Sequence, residues 1–182
     1  LNKVQLVVGE IPENMPVDLP IPDGARVIGS EVREGIGIRI VLDISMTPDQ
    51  ALDFYRNSLD SEKWTETEYP DNQMLGFVLN YSSAIFCQGT RNPWLTVSAY
   101  PLDNVTDLRL DIINDISYSP CSVTGGDYSI RPIPKLLAPK GARQYNEYSA
   151  GGDGNQVEIA AILETEMNST SLADYYADQL KA

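Results

Sequence analysis

The sequence predicts an α+β fold of antiparallel sheets, each with one packed helix, arranged as two related ββα units. Three observations predict it. Residues 36–44 alternate between apolar and polar, residues 47–59 form a capped amphipathic segment, and a looser copy of both lies between Gly154 and the end of the chain. Period two is typical of a strand and period 3.6 of a helix, so each copy predicts a strand followed by a helix.

The strand of the first copy has one buried face. Its apolar residues on that face are Ile36, Ile38, Ile40, Leu42 and Ile44. Gly37, Arg39, Val41 and Asp43 take the other face. Side chains two residues apart point the same way along a strand, so the first set is expected to face a core.

A helix start follows at once. Thr47 is a good N-cap residue, Pro48 suits the first helical position, and Gln50 completes a capping box. The stripe predicted to face the core consists of Ala51, Phe54, Tyr55, Ser58 and Leu59. Trp64 closes this segment.

The second copy matches the first position by position. Its inward strand residues are Val157, Ile159, Ala161, Leu163 and Thr165, and its helix residues are Leu172, Tyr175, Tyr176 and Leu180. Asn168 replaces Thr47 as the cap, and the run from Pro139 to Arg143 matches that from Pro22 to Arg26. The upstream match (Pro22 with Pro139) and the downstream match (Ile36 with Val157) differ in offset by four residues. A longer hairpin turn at the glycine-rich run 151–154 can absorb this difference.

These patterns predict four segments along the chain. Residues 1–22 form an N-terminal strand and a proline-rich leader, 23–118 the first ββα unit with a β meander, 119–138 a linker, and 139–182 a second, shortened ββα unit. The meander strands are expected near 75–81, 84–87, 95–99 and 108–112. For the strands that the second unit lacks, three explanations stay open: an early end of the sequence, a shared sheet, or strands from a neighbouring molecule.

The charge excludes several partners. A net charge of −13 argues against nucleic acid and against an electrostatic hold on anionic membranes. No apolar run is long enough to span a membrane, so direct insertion is not expected. An acidic surface suits solubility, calcium or a basic partner, and no complete calcium motif supports the second of these.

The chain contains no histidine. That removes the histidine-based catalytic triads and the usual zinc sites, and nothing singles out a pair of carboxylates for acid–base work. We therefore assign no catalytic, cofactor-binding or metal-ligating residue, and we expect no cofactor and no enzymatic activity.

The two cysteines, Cys87 and Cys121, are the only candidate site residues. A spaced pair is compatible with one disulfide in an oxidising compartment, and also with two buried thiols. We predict the disulfide.

One resemblance rests on Pro22, Gly24 and Ala25, then Thr47, Pro48, Phe54, Tyr55, Leu59 and Trp64. This pattern resembles uncharacterised modules of bacterial secreted proteins and lipoproteins. The resemblance implies a location outside the cytoplasm and carries no catalytic residue. The paired units also resemble the vicinal-oxygen-chelate family, but that family holds a metal with histidine and glutamate, and this chain has no histidine.

We therefore expect a non-catalytic extracellular binding or structural module of a bacterial cell-envelope protein. Its expected partners are a second copy, through sheet edges, or another envelope protein. Residues 3–8 are short, apolar and tethered by the proline-rich leader, so this arm or the edge of the second unit could complete its sheet against a neighbouring subunit, in a symmetric dimer or an open filament. The alternative is a small-molecule binder or enzyme with a pocket between the two repeats.

Overall fold

A computed structural model describes residues 3–67, 77–78, 81–89, 93–114, 120–122, 136–151 and 158–181. The chain divides into unit 1, residues 1–69 and 81–126, and unit 2, residues 70–80 and 127–182. In chain order the elements are β1 (Val4–Val8), β2 (Arg26–Arg33), β3 (Gly37–Ile44), α1 (Pro48–Ser58), β4 (Thr65–Thr67), β5 (Phe77–Val78), β6 (Ser82–Cys87), β7 (Trp94–Pro101), β8 (Thr106–Ile113), a 3-10 turn (Pro120–Ser122), β9 (Leu136–Leu137), β10 (Arg143–Gly151), β11 (Glu158–Glu164) and α2 (Ser169–Gln179).

Unit 1 is built on one seven-stranded antiparallel sheet, in the order β1-β2-β3-β8-β7-β6-β4. The predicted strand at 36–44 is confirmed as β3, which pairs with β8 from Gly37 opposite Ile113 to Ile44 opposite Thr106. Ile40 and Leu42 are fully buried, as are Leu108 and Leu110. The α+β class is confirmed, and the centre of its core is the inner face of β3 and β8.

The predicted helix is confirmed as α1, with its capping box. The Thr47 side chain accepts from the Gln50 backbone N–H at 3.3 Å, and the Gln50 side chain accepts from the Thr47 N–H at 2.9 Å. The buried residues of the helix are Ala51, Leu52 and Tyr55, with Leu59 at the C-cap. The sequence stripe missed Leu52 and wrongly included Ser58, which is exposed, because the buried arc of α1 is wider than and rotated from the predicted one.

The proline-rich segment covers part of the sheet. Helix α1 packs on β6, β7 and β8. Side chains from the segment between β1 and β2 pack against the same core, namely Ile11, Met15, Val17, Leu19 and Ile21. The Ser30 hydroxyl of β2 also donates to the Glu10 carbonyl at 2.7 Å. The segment predicted as a leader therefore forms part of the core of unit 1.

The N-terminal strand is confirmed as β1, paired antiparallel with β2. It is the outermost strand of its own sheet. A β-bulge between Val27 and Gly29 lies opposite its end. A Cβ atom at Gly29 would lie 2.7 Å from the Val7 carbonyl oxygen, so glycine allows β1 to approach β2 this closely.

Unit 2 contains a hairpin and a helix. Strands β10 and β11 pair antiparallel, from Arg143 opposite Glu164 to Gly151 opposite Glu158. Helix α2 is capped by Asn168, whose side chain accepts from the Ser171 N–H at 2.9 Å. No described residue of α2 is fully buried.

The strand predicted at 75–81 differs from its expected place in the meander. Only Phe77 and Val78 are described there, as β5, which pairs in parallel with β9 within unit 2. Alternation identifies a strand but does not specify its partner, which explains the difference. The glycine-rich turn predicted at 151–154 lies, beyond Gly151, outside the described residues.

The cap of α1 gives a stability prediction. Replacing Thr47 by alanine removes the acceptor of the Gln50 N–H, so we expect the free energy of unfolding to fall by about 1 kcal/mol. Thr47→Ser keeps the hydroxyl and serves as the control, with a smaller expected loss. Urea denaturation of the three proteins measures the effect; equal losses in both variants would show that the hydroxyl does not cap α1.

Candidate interaction surface

The charged residues on the outer face of the unit 1 sheet neutralise one another. Arg39 on β3 pairs with Asp111 on β8 at 2.6 Å, directly across the ladder. Within single strands, Arg33 pairs with Glu31 and Arg109 with Asp107, each at 2.8 Å. Each of these three arginines therefore has a carboxylate partner on the same face of the sheet.

The shifts in pKa on this face have the same origin. The hydrogen bond from Arg33 lowers the pKa of the Glu31 carboxyl, and the hydrogen bond to Asp107 raises the pKa of the Arg109 guanidinium. Both shifts favour the charged forms. The groups therefore keep their charges near neutral pH, which is the behaviour of a structural ion-pair network.

Two tyrosines and an arginine stack on the same face. The rings of Tyr81 and Tyr100 lie 4.5 Å apart between centroids, and the Arg109 guanidinium carbon lies 4.7 Å from the Tyr100 ring centroid. Burial raises the pKa of Tyr100. Its phenol is neutral at physiological pH, so the contact contributes packing and cation–π attraction between β7 and β8.

Tyr55 of α1 is the buried polar group that stands out in the core. Its side chain is 0% exposed, and no hydrogen-bond partner for its hydroxyl is found among the described residues. Burial raises the pKa of this phenol well above its usual range. Its ring meets Phe54 edge to face, with centroids 5.2 Å apart. The ring therefore stabilises the core, while the hydroxyl costs desolvation energy.

The disulfide joins two elements of unit 1. Cys87 ends β6, is 5% exposed and lies opposite Trp94 of β7. It is bonded to Cys121 in the 3-10 turn, with 5.7 Å between the two Cα atoms. The bond fixes the turn Pro120–Ser122 beside the β6–β7 end of the sheet. The sequence supplied this candidate pair only by the number and separation of its cysteines.

The edge strand β1 presents an apolar surface. Val4 is 52% exposed, Leu6 74% and Val8 87%. Ile28, which accepts through its carbonyl from the Gly9 N–H, is also exposed. Among the described residues of unit 1 these are the exposed large hydrophobic side chains, and all four belong to β1 and β2 at one edge of the sheet. We refer to Val4, Leu6, Val8 and Ile28 as the edge patch.

Among the described residues, no strand pairs with β1 on the side away from β2. Lys3 accepts from the Glu34 N–H at 3.1 Å, and Gly9 donates to the Ile28 carbonyl at 3.0 Å. Alternate residues of a strand direct their backbone groups to opposite sides, so Gln5 and Val7 also bond toward β2. Val4, Leu6 and Val8 then direct their N–H and C=O groups to the open edge. Such an edge is a template for another strand.

Unit 2 also exposes apolar side chains. Leu137 is 56% exposed, Ile162 49% and Leu180 58%. The Gln179 side chain accepts from the Leu137 N–H at 2.7 Å and donates to the Leu137 carbonyl at 3.1 Å, which holds α2 to β9. These residues are spread over a strand, a hairpin and a helix end, so they do not define a surface as clearly as the edge patch does.

No group of side chains that could hold a metal ion is found in the part of the chain that the structure describes. There, no three Cys, Asp or Glu side chains group closely enough to hold a metal ion. No described helix is long and apolar enough to cross a membrane. The apolar run Val4–Val8 predicts a strand that could be donated to a neighbour, but the sequence does not predict which side of that strand is exposed.

We expect that removing the hydroxyl of Tyr55 stabilises the protein. Tyr55→Phe removes a desolvated group without changing the ring, so we expect the free energy of unfolding to rise by about 1 kcal/mol. Tyr55→Ala removes the ring and should cost about 3–5 kcal/mol. Urea denaturation at neutral pH measures both, and a clear loss in Tyr55→Phe would reveal a hydrogen bond to the hydroxyl.

The free energies of unfolding of Tyr55→Phe and the wild type should differ more at alkaline pH. The pKa of Tyr55 is raised above the ordinary value of 10.0 in the folded state. Below pH 10 the phenol is neutral in both the folded and the unfolded state. Above pH 10 it ionises first in the unfolded state, so the free energy of unfolding of the wild type falls as the pH rises toward the raised pKa. Tyr55→Phe has no proton to lose, and its advantage over the wild type should increase above pH 10.

The disulfide gives a further prediction. Replacing both Cys87 and Cys121 by serine should lower the free energy of unfolding by about 2–4 kcal/mol, because the unfolded chain regains the freedom of a 34-residue separation. Dithiothreitol should lower the melting temperature of the wild type and leave that of the double variant unchanged. If dithiothreitol reduces the wild-type pair without a shift in melting temperature, the bond does not stabilise the fold.

No protein-family model, curated protein or solved structure matches this chain.

Proposed function

We propose that this chain is a non-catalytic binding or structural module of a bacterial cell-envelope protein, placed outside the cytoplasm. Its interaction surface is the open edge of the unit 1 sheet. The observation that carries the proposal is the edge patch, in which an unpaired strand edge coincides with exposed Val4, Leu6 and Val8. Monomeric proteins usually protect such edges with charge, proline or a covering element.

The chemistry of the edge suits recognition by strand addition. A partner strand would gain main-chain hydrogen bonds from the open backbone groups and apolar contacts from alternate side chains. The opposite edge of the sheet is different. Strand β4 has three residues, Thr65, Glu66 and Thr67, and Glu66 is bound by Arg56 of α1 at 2.9 Å. That edge is short and polar, so β1 is the favoured surface.

The disulfide supports a location outside the cytoplasm, because cytosolic thiols are normally kept reduced. The bond between Cys87 and Cys121 lies beside Trp94, itself 6% exposed, in a structural position of the fold. The resemblance of the Pro22 to Trp64 pattern to modules of secreted proteins and lipoproteins supports the same compartment. The lack of histidine supports a role without catalysis.

We also propose that residues 22–59 and 139–180 are two related ββα units. Local details that the two segments share support this. Gly24 and Gly141 both have positive φ, of 74° and 79°, and each follows a proline whose carbonyl accepts a hydrogen bond three residues on. Each segment then has an antiparallel pair of strands and an 11-residue helix with a side-chain N-cap.

The helix ends are alike as well. Phe54 and Tyr55 meet edge to face at 5.2 Å, and Tyr175 and Tyr176 do so at 5.3 Å. The sequence separation between Arg143 and its partner Glu164 is four residues longer than that between Arg26 and its partner Asp43. The difference in length between the two segments therefore lies within the hairpin. An experimental structure in which the strands and helices of the two segments fail to superpose would contradict the relationship.

The alternative of a small-molecule binder or enzyme with a pocket between the repeats stays a prediction. No cluster of polar side chains among the described residues favours it over the edge patch.

Cell location tests the proposed role. In the bacterium that encodes this chain, we expect an antibody against unit 1 to detect the protein in the envelope or the medium. Protease added to intact cells, or to cells with a permeabilised outer layer, should remove it while a cytosolic marker protein survives. Protection of the chain together with that marker would contradict the proposal.

A further inference from the structure

We propose that the partner of the β1 edge is a second copy of this chain. Two β1 strands pair antiparallel about a twofold axis at Leu6, which joins two seven-stranded sheets into one continuous sheet. The inference rests on the proposed role of the edge as an interaction surface, and it adds the partner and the register. Closed twofold pairing is also the commonest symmetry of soluble oligomers.

The register follows from the direction of the backbone groups. Val4, Leu6 and Val8 direct theirs to the open edge, because Lys3 and Gly9 bond to β2. Pairing about Leu6 sets Leu6 against Leu6 of the second copy and Val4 against Val8. In that register every outward residue meets an outward residue, and each pair exchanges two N–H···O bonds. A shift by one residue along either strand would set outward groups against inward ones.

The side chains agree with this register. Val4, Leu6 and Val8 share one face of β1 and are more than half exposed. In the symmetric pair they line up as Val–Leu–Val against Val–Leu–Val, so each apolar side chain gains an apolar neighbour directly across the new ladder. Cross-strand pairs of this kind stabilise antiparallel sheets.

Charge also favours this pairing. The chain carries a net charge of −13, so two copies repel each other over most of their surfaces. Residues 4–9 carry no charge, and β1 is flanked by Lys3 on one side and Glu10 on the other. Antiparallel pairing brings Lys3 of each copy beside Gly9 and Glu10 of the other. The edge is thus the place where two acidic chains meet without opposing like charges.

Light scattering after size exclusion tests the proposal with the whole chain. The monomer mass is 20.1 kDa. With rising protein concentration we expect the wild-type mass to approach twice that value, and added salt should strengthen the pairing by screening the negative charge. A wild-type mass that stays at 20.1 kDa at the highest concentration reached would overturn the proposal.

Charge variants at Leu6 test the twofold axis. Leu6→Lys and Leu6→Glu each place like charges directly opposite, so both proteins should be monomeric. Their equimolar mixture should recover the doubled mass, because lysine then faces glutamate. Ile162→Lys changes an apolar side chain of unit 2 that is 49% exposed, and it should leave the wild-type mass unchanged. Circular dichroism establishes that all variants are folded.

The outcomes separate the inference from the proposed function. Monomeric charge variants whose mixture stays monomeric would overturn the twofold register. Equal loss of dimer in Ile162→Lys would place the contact elsewhere and also overturn it. A cytosolic location would contradict the proposed envelope role without changing any measured mass, whereas a monomeric wild type in the envelope would contradict only the dimer.

Discussion

The rest of unit 1 depends on the apolar inner face of the β3–β8 strand pair. Ile40, Leu42, Leu108 and Leu110 are fully buried there, at the centre of a sheet whose strands pair without interruption along this ladder. Each such side chain contributes about 1.5–3 kcal/mol of burial. Two elements of unit 1 cover this layer: α1, which packs on β6, β7 and β8, and the proline-rich segment, whose apolar side chains pack against the same core.

The same arrangement explains why we place the proposed interaction surface at an edge of the sheet. A sheet covered on one face by α1 and the proline-rich segment has its hydrophobic surface satisfied on that side. Its outer face is occupied by ion pairs such as Arg39–Asp111 and by the stack of Tyr100 on Arg109. Among the described residues of unit 1, the outer edge of β1 and the edge patch have no pairing or covering element. This is the surface at which we propose that the chain binds a partner.

Much of the fold could be predicted from local patterns. The alternation around Ile40 predicted β3, and the Thr47–Gln50 capping box predicted α1, because both signals arise from neighbouring residues. The partner of a strand is a tertiary property, and so the parallel pairing of Phe77 with Leu136 was not predictable from the sequence. The buried side of the segment from Ile11 to Ile21 was missed for another reason: a proline-rich stretch has no period that identifies its buried side chains.

The candidate site was less accessible to sequence reasoning. The run Val4–Val8 predicted a strand, and it was interpreted as a free arm that could be donated to a neighbour. The structure places it on its own sheet, bonded to β2, so its outer edge is the available surface. Exposure of Leu6 depends on what lies beside the strand, which the sequence does not specify.

Amide hydrogen exchange along β1 tests the central claim most directly, because it reads the two sides of the strand separately. In dilute solution the account predicts slow exchange at Gln5 and Val7, which bond toward β2, and fast exchange at Val4, Leu6 and Val8. At high protein concentration the last three should become protected while the first two change little. Fast exchange at Leu6 at every concentration would contradict the claim that this edge binds a second strand.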